Sequence, residues 1–463
     1  MSMISIALSG ANAAQAALDA SSQNTANLQT PGYSRQGVVL ASVQPLYDGA
    51  QVAGSGVAVT SIQRFSDQYT NLQLWNAASS LGQSTSAQPY FTQLEQVMGD
   101  TTTGISAGLD GFSSALNAAS EDPSSDPLRQ QVIASASSLA QQFNSQSQLM
   151  TNQMTAVDQQ RTSIISQVNE LTTNIAQLNG QIVAAQASGT NASGLLDSRD
   201  QAIGSLASFA SVQVADQPDG SLDVSLTSGQ PLVEGTSAAS LSATTNPDDT
   251  QTLNLNFSNV SFTLNGAVGG QLQGLQDFQT NVLQPMMQSI TGMGQQVATS
   301  YNNQLAAGFT PAGTAGTPLF QFVPAGATGT LSVTPGIQTS DLAFSSDPTA
   351  SGDGGNLTQL IALDSQPVAL PVLGNVTLSD AMTQVVGTLG TQSQENQNAA
   401  ATAQTVSDQA EATWQSVSGV NSDEEATNLV QYQQMYQANM QVIQVANTLF
   451  ANTLAMFNPA AVI

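Results

Sequence analysis

Between Asp126 and Ala185 apolar side chains return every seven residues in two parallel rows. One row is Ala136, Phe143, Met150, Val157, Ile164, Leu171, Leu178 and Ala185. The other is Ile133, Ala140, Ser147, Met154, Arg161, Val168, Ile175 and Ile182, broken only at Ser147 and Arg161. A strand repeats every two residues, whereas a helix returns to the same face after seven, so this stretch reads as one uninterrupted helix. At 1.5 Å per residue it is a rod of roughly 80 Å. Asp126 is placed to cap it, with Pro127 at the first position, where a missing N–H costs nothing. A stripe of this length must be covered. The spacing points to an intramolecular helical bundle, with 378–418 among the helices expected over Leu171 and Ile175.

Further helices are predicted over 67–87, 89–98, 105–119, 195–210, 273–305 and 378–418, the last with a Thr377/Asp380 capping box. Between them the pattern changes. Leu222, Val224, Leu226 and Leu253, Leu255, Phe257 alternate, and Pro218-Asp219-Gly220 and Asn246-Pro247-Asp248-Asp249 are turn chemistry. Residues 308–373 read the same way, with a strand at 331–333, and 38–62 reads as a hairpin with a Gly54-Ser55-Gly56 bend. The predicted class is mainly α with an inserted β-rich domain. Both chain ends form a long antiparallel helical rod, with an outer β domain between them. The predicted division is 1–34 with 421–463 as terminal helices, 35–64 as a β-hairpin connector, 65–210 with 376–420 as a long-helix bundle, and 211–375 as a β-rich insert embedding a helix near 273–305.

The two ends are complementary in size. The first helix carries small rows, Ile4, Ala11, Leu18, Thr25 and Ala7, Ala14, Ser21, Leu28. The last, predicted from Ser422 with Glu425 closing a capping box, carries Leu429, Tyr436, Ile443, Phe450 and Phe457, flanked by Met435, Val442, Leu449 and Met456. Small seams let backbones approach closely. After the first helix comes a fixed elbow: Asn27 is expected in the left-handed conformation that ends helices, Pro31-Gly32 suits a type II turn, and Tyr33 can pack back on the bend.

Composition removes whole classes of function. The 463 residues hold 31 acidic and five basic side chains, a net charge of -26, with no Lys, His or Cys. Beyond Arg199 there are 19 carboxylates and no positive charge. Such a chain repels phosphate backbones, so no nucleic-acid partner is expected. The usual zinc, haem and iron–sulfur ligands are absent, as are thiol, Schiff-base and Ser-His-Asp chemistry. The adjacent pairs Glu121-Asp122, Asp248-Asp249 and Glu424-Glu425 point apart and read as turns or helix starts rather than a glycosidase pair. The run 351–356 reads as a flexible loop rather than a calcium site. No catalytic, cofactor or metal residue is predicted, and no apolar stretch is long enough to span a membrane. With no base before Arg35 and polar residues at Ser5, Ser9, Asn12 and Gln15, no cleaved leader is expected.

The elbow, ANLQTPGYSRQ at 26–36, resembles the Ala-Asn-x-x-Thr-x-Gly-Tyr signature of bacterial flagellar rod, hook and hook-associated proteins. DPLRQQVIASASSLAQQFN (126–144), LLDSRDQAIGSLASFASVQV (195–214), DGSLDVSLTSGQPLVEG (219–235), GGQLQGLQDFQ (269–279) and VNSDEEATNLVQYQQMYQANMQVI (420–443) resemble blocks of the hook-associated protein 1 family, in family order. The resemblance implies a structural protein, not an enzyme, secreted through the flagellar type III apparatus to the extracellular flagellum. There it would assemble with itself into a ring at the hook–filament junction. Implied partners are the hook protein, the second junction protein and an export chaperone on the C-terminal helix. The implied assembly interface is Ile4, Ala7, Ala11, Leu18, Leu28, Leu429, Tyr436, Ile443, Phe450 and Phe457. The implied elbow residues are Asn24, Asn27, Thr30, Pro31, Gly32 and Tyr33. A flagellin-like subunit and the neighbouring junction protein share such termini, but the Thr-Pro-Gly-Tyr elbow and LLDSRDQ block argue against them. An adhesin using the outer insert is a third reading. Because one face of each terminal helix is uncovered, the ends are expected to order only on assembly.

Overall fold

The computed structural model describes residues 3–44, 54–99, 104–246, 250–264, 268–326 and 328–457, the side chain of Phe457 excepted. Asp248-Asp249 lies outside the described residues. The chain is mainly α, with several small antiparallel sheets. Helix α1 (Met3–Ala26) leads to a hairpin of β1 (Gln36–Ser42) and β2 (Val57–Arg64). Then come α2 (Gln68–Ser86), α3 (Gln88–Met98) and α4 (Ile105–Ala119), close to their sequence signals, with the Asp67 carboxylate accepting from the Tyr69 N–H to cap α2.

The seven-residue rows become α5 (Asp126–Ala187), 62 residues and about 90 Å long. Both rows face inward: Met150, Val157, Ile164, Ile175 and Ile182 are fully buried. Arg161, a predicted interruption, is buried too. Its guanidinium donates to Gln279 Oε1 and Gln276 Oε1, each at 2.7 Å. Those glutamines come from α7 (Gly270–Phe278) and a single π turn at Gln279–Leu283, which runs on into α8 (Gln284–Ala307). The helix expected over 273–305 is thus one path with one wider turn, set where two amides converge on a buried charge.

The expected cover of α5 is corrected. Helix α10 (Leu378–Ser418), capped by Thr377 Oγ1 accepting the Asp380 N–H at 3.1 Å, packs on α2 and α3. The roof over α5 is instead α4, α8, α6 (Ser193–Phe209) and strands. Over the Leu171 region lies the edge of a sheet, where Thr172 Oγ1 donates to the Ala239 carbonyl at 3.3 Å. A heptad row requires that a face be covered; it does not require that a helix cover it.

The sheets are β3 (Val212–Asp216), β4 (Leu222–Leu226), β5 (Pro231–Glu234) and β6 (Ser237–Ala238), in that order. A second comprises β7 (Ser240–Thr245), β8 (Gln251–Phe257) and β9 (Val260–Leu264), closed between β8 and β9 by left-handed Ser258 and Asn259, the backbone of a tight two-residue turn. β10 (Phe320–Ala325) pairs with β11 (Thr328–Val333). Within the expected strand-and-turn segment 308–373, a short helix α9 (Gly355–Ala362) also forms. The run 351–356 is pinned rather than loose. Asp353 accepts from the backbone and hydroxyl of Ser346, each at 2.6 Å, and these bonds hold its carboxyl down to about 2. β12 (Val368–Leu370) and β13 (Gly374–Val376) form a last hairpin before α10, and α11 (Ser422–Phe457) ends the described chain.

One device recurs where helices meet strand edges. A helix-borne asparagine donates its Nδ2 to the carbonyl of a single strand residue, and its Oδ1 accepts from the N–H of that same residue. The pairs are Asn24 with Gln36 (2.9 and 2.9 Å), Asn144 with Leu331 (2.8 and 2.9 Å), Asn169 with Leu241 (2.9 and 2.7 Å), Asn179 with Leu222 (2.8 and 3.1 Å) and Asn302 with Phe320 (2.8 and 3.0 Å). An amide shows a donor and an acceptor side by side, as a neighbouring strand would, so each clamp closes an edge without charge.

Candidate functional site: the elbow and the terminal helices

Helices α1 and α11 run antiparallel: Ser21 lies opposite Glu425, and Gly10 opposite Asn439. A Cβ on Gly10 would sit 2.6 Å from Asn439 Oδ1, so a larger residue there would displace the Asn439 amide. The small seam is real: Ala7, Ala11, Ala14 and Ser21 are buried, while Ile4 and Leu18 are half-buried. Leu28 lies beyond the end of α1 and is exposed. On α11, Leu429, Tyr436 and Ile443 are half-buried and Ala446 buried. Phe450 is 66% exposed, and Met435, Val442, Leu449 and Met456 are exposed as well. Alanines bury little area, so the pair gains modestly from its own contact. The side chain of Phe457 lies outside the described residues.

The elbow is organised by Asn24. Its Oδ1 accepts from the Gln36 N–H at 2.9 Å and the Tyr33 hydroxyl at 3.0 Å; its Nδ2 donates to the Gln36 carbonyl and to Glu425 Oε1, both at 2.9 Å. All four of its hydrogen-bonding positions are used. Ser21 also donates its hydroxyl to the Glu425 carboxylate. Burial first, then the nearby Asp197 and Glu425 charges, push the Tyr33 phenol up to about 12, so it stays a donor. The turn is as expected: Tyr33 N–H donates to Thr30 O at 3.2 Å across Pro31 and Gly32, and Gly32 has φ 74°. Thr30 and Pro31 are exposed, while Gly32 faces the Gln201 side chain.

Two expectations are corrected here. Asn27 is not left-handed; it continues the helical turn with its N–H on Gln23 O at 3.1 Å, and its Nδ2 returns to the same carbonyl. Glu425 does not close a capping box. Asn421 Oδ1 caps α11 by accepting from the Asp423 N–H at 2.9 Å, which frees Glu425 to turn inward.

A second layer, unseen in the sequence, carries the elbow onward. Ser34 N–H donates to Asp197 Oδ2 at 3.3 Å. Arg64, at the end of β2, donates to Asp197 at 2.9 Å and to Asp200 at 2.8 Å, two carboxylates three residues apart on α6. Asn71 donates to Asp200 at 3.3 Å and accepts from the Trp414 indole at 2.9 Å. Arg35 N–H meets the Ser418 carbonyl at 2.7 Å, its guanidinium pairs with Glu424 at 2.7 Å, and it stacks on Phe65. Burial lowers the Arg64 affinity for its proton, but the two carboxylates more than offset this. Asp200 is so buried that its carboxyl is pushed up despite Arg64. One signal was available: in a chain with five cations, each arginine demands an oxygen-rich partner, and 197 and 200 share a helical face.

This arrangement positions elements; among the described residues no cluster could hold a metal, and no helix is long and apolar enough to cross a membrane. The family model for the flagellar hook-associated protein FlgK helical domain matches residues 91–320, and that for the flagellar basal body rod FlgEFG protein C-terminal matches 414–456. Flagellar hook-associated protein 1 of Escherichia coli (strain K12) is 26% identical over 538 residues, covering 97% of this chain and 98% of the relative. That of Bacillus subtilis (strain 168) is 26% identical, covering 95% and 94%. The flagellar hook junction protein FlgK from Burkholderia pseudomallei shares the fold, with a TM-score of 0.63 at 18% identity, over 74% of this chain and all of that one. With relatives matched almost end to end and both signature segments meeting at Asn24 and Glu425, the chain belongs to the flagellar hook-associated protein 1 family.

Proposed function

We propose that this chain is a structural axial component of the flagellum, forming the layer that joins hook to filament after type III export, with no catalytic role. The observation carrying the reading is the Asn24–Glu425 contact, which locks the elbow signature to the C-terminal motif. The residues from 1–34 and 421–463 line the inside of the assembled ring, the hairpin 35–64 connects them, and 65–210 with 376–420 surrounds them. The segment 211–375 faces outward. Ile4, Ala7, Ala11, Leu18, Leu28, Leu429, Tyr436, Ile443, Phe450 and Phe457 meet neighbouring subunits, hook protein on one side and the second junction protein on the other. Until then, the exposed row of α11 is an aggregation hazard, which fits an export chaperone covering it. Deleting the gene should leave intact hooks without filaments by electron microscopy, restored by the wild-type copy. Filaments of normal length in the deletion would refute the proposal.

A further inference from the structure

Among the described residues, Val372 is the one β-branched residue held at positive φ, at 71°. Across it the Leu373 N–H donates to the Pro371 carbonyl at 2.8 Å, closing a γ-turn of the strained hand at the tip of the β12–β13 hairpin. L side chains resist that turn, and a branched one resists it most. The tip is pinned all the same. Pro371 rests on Gly292 of α8, where an added Cβ would sit 2.6 Å from the proline ring, and Gln296 Nε2 donates to the Ala369 carbonyl at 3.1 Å. A fixed, strained turn thus holds an apolar side chain out in water, with Val372 63% exposed. Strain of this kind persists where a residue is presented to a partner.

The opposite flank of α8 carries a cleft. Met287 and Gly294 stand seven residues apart on one face of the helix, whereas Gly292 lies about 200° around from Gly294. Met154 and Met287 line an open cleft of about 660 Å³ between α5 and the β10–β11 turn, rimmed by Gln148, Thr151, Thr328 and Thr330. Methionine side chains adapt to an incoming apolar group. Both surfaces are neutral in a chain of net charge -26. Residues 130–157, 278–340 and 365–379 contain no acidic or basic side chain, and Asp158 stands at one end of the cleft. A charged partner gains little from either surface, while a second copy can approach there without the repulsion that its acidic faces impose.

We infer that the Val372 tip of one copy seats in the cleft between α5 and the β10–β11 turn of the next. Tip and cleft face opposite ways across α8, so the contact runs head to tail and propagates from copy to copy instead of closing as a pair. The strained valine supplies the apolar knob, the two methionines shape the socket, and the threonines and glutamine around it seal the rim without charge. The pairing rests on the self-assembly proposed above only for its place in a ring. The contact itself is read on the purified chain and stands or falls apart from the hook phenotype.

The test uses the full chain, which has no native cysteine, so each introduced thiol reports one position. Purified Val372→Cys and Thr151→Cys chains, both substituted at exposed sites, are mixed at high concentration in salt under mild oxidation. The mixture should form a disulfide-linked dimer several times faster than either variant alone. In sedimentation velocity over a concentration series, Val372→Gly and Thr151→Glu should each weaken self-association several-fold. Val406→Asp, at a valine 52% exposed on α10, should leave it at the parent level. Val372→Gly should also raise the melting midpoint, because glycine accepts the turn that valine resists. The inference fails if like thiols link as fast as the mixed pair, or if Val372→Gly or Thr151→Glu associates as the parent does. It fails equally if Val406→Asp weakens association to the same degree, or if Val372→Gly melts earlier than the parent.

Discussion

Asn24 and Glu425 stand 401 positions apart in the chain and meet at 2.9 Å, amide nitrogen to carboxylate oxygen. Replacing Glu425 with alanine removes the acceptor of both Asn24 Nδ2 and Ser21 Oγ, two buried donors. The loss should cost about 1–3 kcal/mol at that contact. Because α1 is held to α11 mostly by alanines, limited proteolysis should then release the N-terminal helix several times faster while the body resists. Unchanged cleavage would mean that the seam, not the carboxylate, holds α1.

Asn179 offers a test of the clamps. Its amide serves the Leu222 backbone, the Gly235 carbonyl and Arg199 at once. Asn179→Ala should lower stability by about 2–4 kcal/mol, since several buried groups lose their partner together. Asn27→Ala, which removes only exposed contacts, should move the melting midpoint little. Equal melting of the two variants would show that water replaces the clamp.

The pH response has a defined sign. Asp200 is raised above its ordinary value by burial, so its contribution favours the folded state in acid and is lost as pH rises through its folded value. Asp353 runs the other way. Its contribution is present above the ordinary 3.8 and is lost only as pH falls toward about 2. Between pH 7 and 4.5 the Asp353 contribution is therefore intact while that of Asp200 grows. The melting midpoint at pH 4.5 should equal or exceed that at pH 7, and Asp200→Asn should flatten the dependence. A steep fall toward pH 4.5 would contradict both assignments.

Self-association should respond to salt in an unusual direction. None of the five guanidiniums is free: two are in ion pairs and three are buried on neutral oxygens. Surfaces of two copies then meet as anion against anion or as neutral against neutral. Screening reduces that repulsion, so light scattering by concentrated protein should rise with added sodium chloride. Salt-driven dissociation would require a cation at the contact.

What the sequence made legible follows from local rules. The rows of α5, the cap at Thr377 and the Pro31-Gly32 turn each depend on residues close in the chain. The position of α10 did not, because a heptad row at Leu171 reports that something covers it and is silent about whether a helix or β7 does. The clamps were invisible for a different reason. Asn144 lies off the apolar rows, and its partner Leu331 is 187 positions away, so no periodicity marks it. Glu425 was misread because its place in the first turn of a helix has an ordinary explanation, and only the fold reveals that Asn421 had already taken that role.

Asn179 is followed by Gly180, the neighbour beside which an asparagine most readily cyclises and loses its amide nitrogen when the backbone is free to bend. Inside α5, with its amide nitrogen and oxygen both engaged, that ring closure is out of reach. In the unfolded chain it is open. Hydrolysis would replace the donor that serves the Leu222 and Gly235 carbonyls by a second acceptor oxygen, which weakens the join of β4 to α5. The clamp thus protects its own amide for as long as the chain stays folded. Peptide mass mapping should find the acid form at 179 accumulating in denatured samples and nearly absent from folded protein of the same age.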